Sequence, residues 1–384
     1  MTDQHLERIR QDTPATSTHI YLNTGTFGPL PICVAQAMQQ QTEDELRGGR
    51  IGGKPFEKLS AIYAAARSNV AQLLHASIDE IALTDNTGEG LNIVCYGFNW
   101  QAGDEVITTD HEHVSALAPL YQIRERFGIS IKVAELGPRA DAPLAETIER
   151  LITERTRLIV LSHVTWTTGT VLDIASVNRM AHAHHIPVLI DGAQSAGAIP
   201  IDVKELDVDF YALPMQKWLC GPDGTGALFV SQEAREYIQP TYVGYWSAKS
   251  FHGDDWQLNE SAQRFELGGR QTAAIAGQNA ALEWLEKTVG YDWLFARISQ
   301  LHAYAYERLQ TVPGLTLLTP VPGASGLLAF TLDGKASDEI SKQLAEHHNI
   351  LIRDIPETKA LRVSTGFYNT EAEIDALVAA LCSL

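Results

Sequence analysis

Short apolar strand patterns alternate with helical patterns from about residue 55 to residue 230, and this alternation constrains the fold more than any other feature. PFEKLSAIYAAARSNVAQLLHA has helical periodicity and is followed by the strand pattern EIALTDN. Later patterns such as RLIVLSHV and PVLIDGAQ are continuously apolar, which is typical of strands covered on both faces of a sheet. The alternation predicts an α/β protein with a mainly parallel sheet.

The pattern changes after the loop-like, tryptophan-bearing stretch 240–270. Residues 272–311 indicate two long helices broken near Gly290. Beyond them, short strands alternate with two more helices, predicted around 337–348 and at 370–382. Antiparallel strands with helices to one side predict a compact second domain. We expect three parts, namely an N-terminal arm, a large ligand-binding domain, and linker helices with a small C-terminal domain, over residues 1–17, 18–270 and 271–384.

Net charge and cysteine content limit the kinds of ligand and the cellular compartment that we expect for this chain. The formal net charge of −18 disfavours nucleic acid and anionic membrane, since either would repel the chain, and leaves a small metabolite as the expected ligand. The four cysteines are scattered without a CxxC pair, which is typical of reduced thiols in a cytoplasmic protein. The polar N-terminus does not resemble a signal peptide, and no apolar run reaches the length of a membrane span.

Thr87, Gly88 and Glu89 lie where a predicted strand passes into a helix. Thr87 is a natural helix N-cap, and the exposed N–H groups of such a turn, together with the helix dipole, suit a phosphate. An ordinary capped helix start remains the alternative for this segment alone.

Histidines occur in two groups. His113 lies just past the strand EVITTD, two residues after His111, and its imidazole could stack on a flat cofactor ring. A polar loop pair is the alternative, and a metal site would need a third ligand that this stretch does not supply. A second group closes a helix, where the negative dipole end favours imidazoles, so we expect a structural role and no metal: His182, His184 and His185.

Asp191 and Lys217 are the residues that most strongly indicate a functional site. The apolar run PVLI ends at Asp191, which places a carboxylate at the carboxyl end of a parallel strand, the edge where ligands bind. A protonated pyridine nitrogen would be a suitable partner and would keep the ring electron-withdrawing. Lys217 follows amid apolar and aromatic neighbours, a setting that lowers the pKa of an amine and suits Schiff-base chemistry. A capping aspartate and a solvated loop lysine are the alternatives for each residue alone.

Taken together, these segments resemble the class V aminotransferases of fold type I. This group contains cysteine desulfurases, isopenicillin N epimerase-like proteins and cysteine/cystine C–S lyases. The resemblance runs nearly end to end, through YLNTGTFGPLP, EVITTDHEH, LIDGAQS, QKWLCGPDGTG, RFELGG and LRVSTGFYNTEAEID. It implies pyridoxal 5′-phosphate (PLP) as cofactor, a large domain with a mainly parallel seven-stranded sheet, a smaller α+β C-terminal domain, and a homodimer with shared active sites.

The resemblance also assigns roles to individual residues. The cofactor phosphate would lie against Thr87, Gly88 and Glu89, and the ring would contact His113, Asp191 and Gln194. Lys217 would carry the cofactor and move the substrate proton, and Lys217, Asp191 and His113 form the expected catalytic group. The amino-acid substrate would contact Arg362 through its carboxylate. The other expected substrate contacts are Asn23, Thr24 and Trp166.

Departures from the family pattern bear on the reaction. Pro214-Met215-Gln216 replaces the usual Ser/Thr-Gly-His before the lysine, so Gln216 would substitute for a histidine. Gly269 stands where relatives direct a threonine to the neighbouring subunit's phosphate, and Thr272 is the nearby candidate to compensate. Trp166 stands where desulfurases have asparagine, as in C–S lyases.

The stretch 319–364, where desulfurases carry their nucleophilic cysteine, contains no cysteine. The sequence therefore predicts a PLP-dependent lyase that cleaves a C–S bond of cysteine, cystine or a related S-substituted amino acid by α,β-elimination. An isopenicillin N epimerase-like epimerase or racemase is the alternative. Less favoured are a cysteine desulfurase, an aminotransferase, and a protein of this fold that binds without turnover.

Overall fold

The computed structural model describes residues 2–253 and 255–384. The strands, numbered along the chain, are β1 (Ile20–Tyr21), β2 (Ile81–Thr84), β3 (Glu105–Thr109), β4 (Ser130–Ala134), β5 (Thr156–Ser162), β6 (Val188–Asp191), β7 (Phe210–Pro214), β8 (Gly226–Val230), β9 (Ala248–His252), β10 (Asp255–Leu258), β11 (Leu315–Leu317), β12 (Leu327–Leu332), β13 (Ile350–Leu351), β14 (Arg353–Ile355) and β15 (Ala360–Ser364).

The α-helices are α1 (Thr2–Asp12), α2 (Ala15–Thr18), α3 (Ile32–Gly48), α4 (Gly53–Leu74), α5 (Thr87–Gly97), α6 (Val114–Phe127), α7 (Leu144–Glu149), α8 (Ile174–Ala183), α9 (Thr272–Trp284), α10 (Tyr291–Leu309), α11 (Ser337–His348) and α12 (Glu371–Ser383). None of these helices is both long enough and apolar enough to cross a membrane.

A seven-stranded sheet forms the large domain, in the order β2-β8-β7-β6-β5-β3-β4. Strand β8 runs antiparallel to both of its neighbours, and the other pairings are parallel. The predicted α/β fold with a mainly parallel sheet is confirmed. Both faces are covered: Ile159, Ile190 and Phe229 belong to one apolar cluster, whereas Val160 and Leu189 belong to another on the opposite face. Double coverage explains the continuous apolar runs.

Strand β4 has no counterpart among the strand patterns recognised in the sequence. Its residues SIKVA are half exposed because it lies at the edge of the sheet and pairs only with β3. Edge strands bury less side-chain surface, so they lack the apolar run that marks the central strands.

The C-terminal part carries a four-stranded antiparallel sheet in the order β11-β12-β15-β14. Helices α9 and α10 precede it and are separated by a single π-helical turn, Leu285–Val289, and by Gly290, whose φ of 80° ends the first helix. The break predicted near Gly290 therefore occurs, since a left-handed φ favours glycine.

The segment after α2 joins the two sheets. Strand β1 pairs in parallel with β13, the N–H of Ser364 donates to the carbonyl of Leu22, and Gly28 packs on the turn after β7. Helix α1 packs against the large apolar core. Its Ile9 is fully buried there, and its Asp12 accepts a hydrogen bond from Trp284 at 2.8 Å. The expected N-terminal arm is thus a packed helix.

Candidate active site

The carboxyl ends of β5, β6 and β7 meet at one edge of the large sheet, and a cavity of about 470 Å³ opens there. The amino ends of α5 and α6 face the same cavity. This is the edge where open α/β sheets bind ligands. Most of the residues singled out in the sequence lie in the cavity wall, namely Thr87, Gly88, His113, Trp166, Asp191, Gln194, Gln216, Lys217 and Arg362.

Asp191 ends β6, and only 3% of its surface is exposed. One carboxylate oxygen accepts the N–H of Ala193 at 2.8 Å. Burial raises the pKa of Asp191, while the N–H of Ala193 and the positive charge of Lys217 lower it. A buried carboxylate beside an open cavity is stabilised by a cation, so the site suits a protonated ring nitrogen.

Lys217 lies in the turn after β7 and faces the cavity. Burial lowers the pKa of its amine to about 8; the charges of Arg362 and Arg353 act in the same direction and that of Asp191 opposes it. About a tenth of the amine is therefore unprotonated at pH 7, far more than for an ordinary lysine, and a nucleophile or base requires this form. The N-terminal segment covers this turn, because the N–H of Gly28 donates to the carbonyl of Gln216 at 2.8 Å.

His113 caps α6 and presents its ring to the cavity. Its Nδ1 accepts the N–H of Ser115 at 3.2 Å, which leaves the ring proton on Nε2. The ring meets Trp166 edge to face, with centroids 5.1 Å apart. Burial, aided by the charges of Lys217 and Arg362, lowers the pKa of His113 to about 4, so the imidazole is neutral. His111 instead contacts Thr167 and the carbonyl of Gly137, both at 2.6 Å, and serves as a structural side chain.

The amino end of α5 departs in part from the sequence prediction. The N-cap is Asn86 rather than Thr87, and the side chain of Asn86 accepts the N–H of Glu89 at 2.9 Å. That N–H is therefore already hydrogen-bonded, and the carboxylate of Glu89 forms an ion pair with Arg270 at 2.9 Å. Glu89 lies outside the cavity wall, whereas Thr87 and Gly88 line it. The prediction of Glu89 as a phosphate contact is corrected, because the cap uses its donor.

Three other expected residues also lie outside the wall of this chain's cavity: Asn23, Thr24 and Thr272. Thr24 is fully buried and hydrogen-bonded to Tyr368, and Asn23 accepts from Thr26 at 2.8 Å. Gly25 and Thr26 reach the cavity instead, and substrate contact by Asn23 and Thr24 stays a prediction. Thr272 is buried at the start of α9.

Gln194 and Gln216 differ in how many hydrogen bonds their side chains make. Gln194 donates to the carbonyl of Gly25 at 2.8 Å and accepts from the indole N–H of Trp218 at 3.0 Å, which fixes its orientation and leaves one amide proton for a ligand. The side-chain oxygen of Gln216 is buried and has no partner among the described residues.

Arg362 occupies the side of the cavity formed by the small domain. It lies on β15, is 3% exposed, and donates to the carbonyl of Trp166 at 2.8 Å and to Thr26 at 3.4 Å. Burial and the neighbouring Arg353 lower its pKa. Arg353 is the register partner of Arg362 on β14 and also lines the cavity. A guanidinium remains charged, so the two together form a site for carboxylates.

Sequence reasoning did not single out several residues of the wall. Asn86, Ser115, Gly25, Thr26 and Arg353 all line the cavity. Asn86 could have been found from the preference of asparagine for helix N-caps, and Arg353 from its position opposite Arg362 in a short strand pair. Gly25 and Thr26 become part of the site only through long-range packing.

The wall fits a polar, flat ligand that carries an anionic group. Three of its buried polar atoms have no partner within the described residues: Nε1 of Trp166, Oε1 of Gln216 and Nε of Arg362. Buried polar groups are nearly always hydrogen-bonded in native proteins, so these atoms indicate a missing ligand. A lysine with a lowered pKa, a buried carboxylate, a neutral aromatic ring and a helix amino end together match the needs of PLP.

Fold and cavity thus define a PLP enzyme of fold type I. Comparison with known proteins gives the family, because the model of "Aminotransferase class-V" matches residues 20–377. The chain belongs to this family.

Its relatives are named for C–S bond cleavage. A probable cysteine desulfurase of Methanothermobacter thermautotrophicus is 29% identical, with 97% of this chain and 96% of the relative covered. The cysteine desulfurase CsdA of Escherichia coli is 33% identical, with 94% and 93% covered. The structure of the cystine C–S lyase C-DES in complex with its reaction product, cysteine persulfide, superposes with a TM-score of 0.92 at 29% identity, covering 97% of this chain and 99% of C-DES.

Proposed function

We propose that this protein is a PLP-dependent C–S lyase that acts by α,β-elimination on cystine or a closely related S-substituted amino acid. The observation that carries the proposal is the state of the cysteines. Burial raises the pKa of both Cys95 and Cys220 to about 12 and also raises that of Cys33, and Cys382 lies at the end of α12. None of the described cavity-wall residues is a cysteine. A desulfurase needs a thiolate at the substrate, and these thiols do not provide one.

The cavity supports elimination with the following roles. When bound, PLP would supply an electron-withdrawing ring in conjugation with the substrate's amino nitrogen, which weakens the α C–H bond. Arg362 would bind the α-carboxylate and fix the orientation of the substrate. Lys217 would accept the α-proton, because its lowered pKa leaves part of the amine unprotonated. Asp191 would accept a hydrogen bond from the protonated ring nitrogen, and the neutral imidazole of His113 would pack on the ring. Cystine and water would then give pyruvate, ammonia and cysteine persulfide.

Arg353 favours cystine over cysteine within this proposal. It is exposed at the cavity, and the described residues provide it with no ion-pair or hydrogen-bond partner. Cystine has a second carboxylate beyond the disulfide, and a second arginine near the first provides a partner for it. Cysteine has no group that could make this contact.

Product analysis separates the candidate reactions. Cystine, cysteine and a panel of amino acids are incubated with the protein, and pyruvate, persulfide, sulfide, alanine and α-deuterium exchange are scored together. We expect pyruvate and persulfide in equal amounts from cystine. Deuterium exchange without elimination would support an epimerase instead.

A variant with all four cysteines changed to Ser or Ala tests the desulfurase alternative, which the names of the relatives favour. We expect turnover within about tenfold of the wild type, equivalent to ~1.4 kcal/mol of barrier, because no protein thiol attacks sulfur. Alanine formed in step with sulfur transfer, and abolished by one cysteine replacement, would overturn the lyase assignment.

We also propose that the enzyme is a cytosolic homodimer. All four cysteines are free thiols, as in reducing compartments. Large apolar side chains are exposed beside α5, namely Tyr242 at 69% and Leu267 at 47%, and Tyr245, three residues after Tyr242, is 87% exposed. Leu267 lies in the RFELGGRQT segment, which related enzymes direct to the neighbouring subunit. Thr272, buried in its own chain, remains a proposed phosphate contact across that interface.

A further inference from the structure

A buried carboxyl group that the proposed chemistry does not use lies beside the cavity. Glu112 directly precedes His113 and is 5% exposed. One of its oxygens accepts from the hydroxyl of Thr109 at 2.6 Å and from the N–H of Ser162 at 3.1 Å. The other accepts from the hydroxyl of Ser162 at 2.6 Å. Because Thr109 ends β3 and Ser162 ends β5, the carboxylate joins two strand ends at the cavity edge.

Ser162 brings this carboxylate close to Asp191. Ser162 and Asp191 are register partners on the parallel strands β5 and β6. Register partners on neighbouring strands lie about 5 Å apart and point to the same face of the sheet. The N–H of His163 also donates to the carbonyl of Asp191 at 3.0 Å. A single serine side chain therefore separates the two acidic residues.

The two carboxylates repel each other in a site that water scarcely reaches. Burial raises the pKa of Glu112 to about 7; the hydrogen bonds from Ser162 and Thr109 oppose this, and the charge of Asp191 adds to it. At pH 8 Glu112 is therefore mostly ionised. Two buried like charges are costly unless a cation lies between or beside them. A protonated ring nitrogen beside Asp191 would supply such a cation.

We propose that Glu112 is a positioning residue for the cofactor: its charge adds to that of Asp191 and favours a protonated nitrogen in the bound ring. The inference rests on the proposed pairing of that nitrogen with Asp191 and does not depend on which bond of the substrate is cleaved. Glu112 acts through the field at Asp191 and does not touch the substrate.

The test compares the affinity of the apoprotein for two ligands at pH 8. One is PLP, and the other is its 1-deaza analogue, in which carbon replaces the ring nitrogen and cannot be protonated. In Glu112→Gln the amide oxygen still accepts from Thr109 and Ser162, and the amide N–H can donate to the hydroxyl of Ser162, so mainly the charge is lost. We expect about tenfold weaker PLP binding and less than about twofold weaker binding of the analogue. Fluorescence titration measures both affinities without any substrate.

Ser162→Ala is the matched control. It removes a hydrogen bond that lowers the pKa of Glu112, so it is compared with the wild type above pH 8, where the carboxyl group keeps its charge. The ratio of the two affinities should stay within about threefold of wild type. Equal weakening of both ligands in Glu112→Gln, or a loss of preference for PLP in Ser162→Ala as large as in Glu112→Gln, would overturn the proposal.

A third variant is used if circular dichroism shows that Glu112→Gln does not fold. Glu112→Asp keeps the charge with a shorter side chain and should retain the preference for PLP within about threefold. A tenfold loss of that preference contradicts the proposal. Persulfide production by the wild type is scored separately, so a failure of the C–S lyase assignment is distinguishable from a failure here.

Discussion

Lys217 is the residue on which the proposed chemistry depends. Its amine faces Asp191 across the cavity, and burial lowers its pKa to about 8. We expect Lys217→Ala to abolish the visible absorption of the purified protein, since no other amine in the wall can form the Schiff base. Absorption spectroscopy measures this, with Lys335→Ala, an exposed lysine of the small domain, as the control. A variant that borohydride still reduces to a covalent cofactor adduct would show that another lysine is used.

Arg353 should decide between substrates with one and two carboxylates. We expect Arg353→Gln to lower kcat/KM for cystine by about 10- to 100-fold, the size of a lost charge-assisted hydrogen bond. The value for S-methylcysteine, which has no distal carboxylate, should change by less than about threefold. Steady-state assays of pyruvate give both values. Lys359→Gln, an exposed cation in the same β14–β15 hairpin, is the matched control. Equal losses for both substrates would remove the selectivity role.

Sequence reasoning located the residues that end a strand and failed where packing decides. Asp191 and Lys217 are marked by apolar strands that stop abruptly, and parallel strand ends must share an edge of the sheet. Glu89 was misplaced because its local pattern does not show that Asn86 takes the helix cap, and nothing in the pattern around Thr24 shows that its hydroxyl bonds to Tyr368. Arg353 enters the cavity through its pairing with Arg362, which becomes visible only when the two short strands are aligned with each other.

The carboxyl end of α8 is tied to the loop before β7 by an ion pair that should make stability depend on pH. His182 contacts Asp207 at 3.0 Å and Asp209 at 2.9 Å, and Asp209 also accepts the N–H of Val188 at 2.8 Å. Hydrogen bonding to Asp209, with further help from Asp207, raises the pKa of His182 to about 9. The protonated imidazole is therefore favoured in the folded state.

The raised pKa of His182 determines whether the free energy of unfolding rises or falls with pH. The contribution of His182 to the free energy of unfolding is fully present below its ordinary pKa near 6.5 and is lost as the pH rises through about 9. Since the side chain is partly exposed, we expect a contribution of about 1–2 kcal/mol. Denaturant unfolding from pH 6 to pH 10 should show this decline in wild type and not in His182→Gln. His185→Asn, at the same helix end, should keep the decline; parallel curves for wild type and His182→Gln would refute the assignment.

Elements were predictable to the extent that their own residues mark them. The central strands and α11 are strongly patterned, and the latter lies at Ser337–His348, close to the expected 337–348. The hairpin β9–β10 falls in a stretch expected to be a loop, because its residues are largely exposed and its only described strand partners are each other. A strand held by main-chain pairing alone leaves little trace in side-chain hydrophobicity.

The exposed apolar surface near α5 predicts that the protein is a dimer. Sedimentation should give twice the mass of the chain. Leu267→Asp should give monomers and reduce turnover at least about tenfold, because a buried unpaired charge disrupts an interface and the segment is expected to complete the neighbouring site. Val321→Asp, equally exposed on a loop of the small domain, should remain dimeric. A monomer with full turnover would contradict shared active sites.

The pairing of β1 with β13 has a consequence for how the protein is made. Ile20 and Ile350 are register partners, so the segment that covers Lys217 cannot complete its contacts until the ribosome has delivered the last strands. At about 5–20 residues per second, synthesis of the intervening chain takes roughly 15–65 s. The large sheet can form during this interval with the cavity still uncovered on the side of Gly28. We therefore expect closure of the site to be late, and in a nascent chain stalled before residue 350 Lys217 should react faster with amine-reactive reagents than it does in the finished protein.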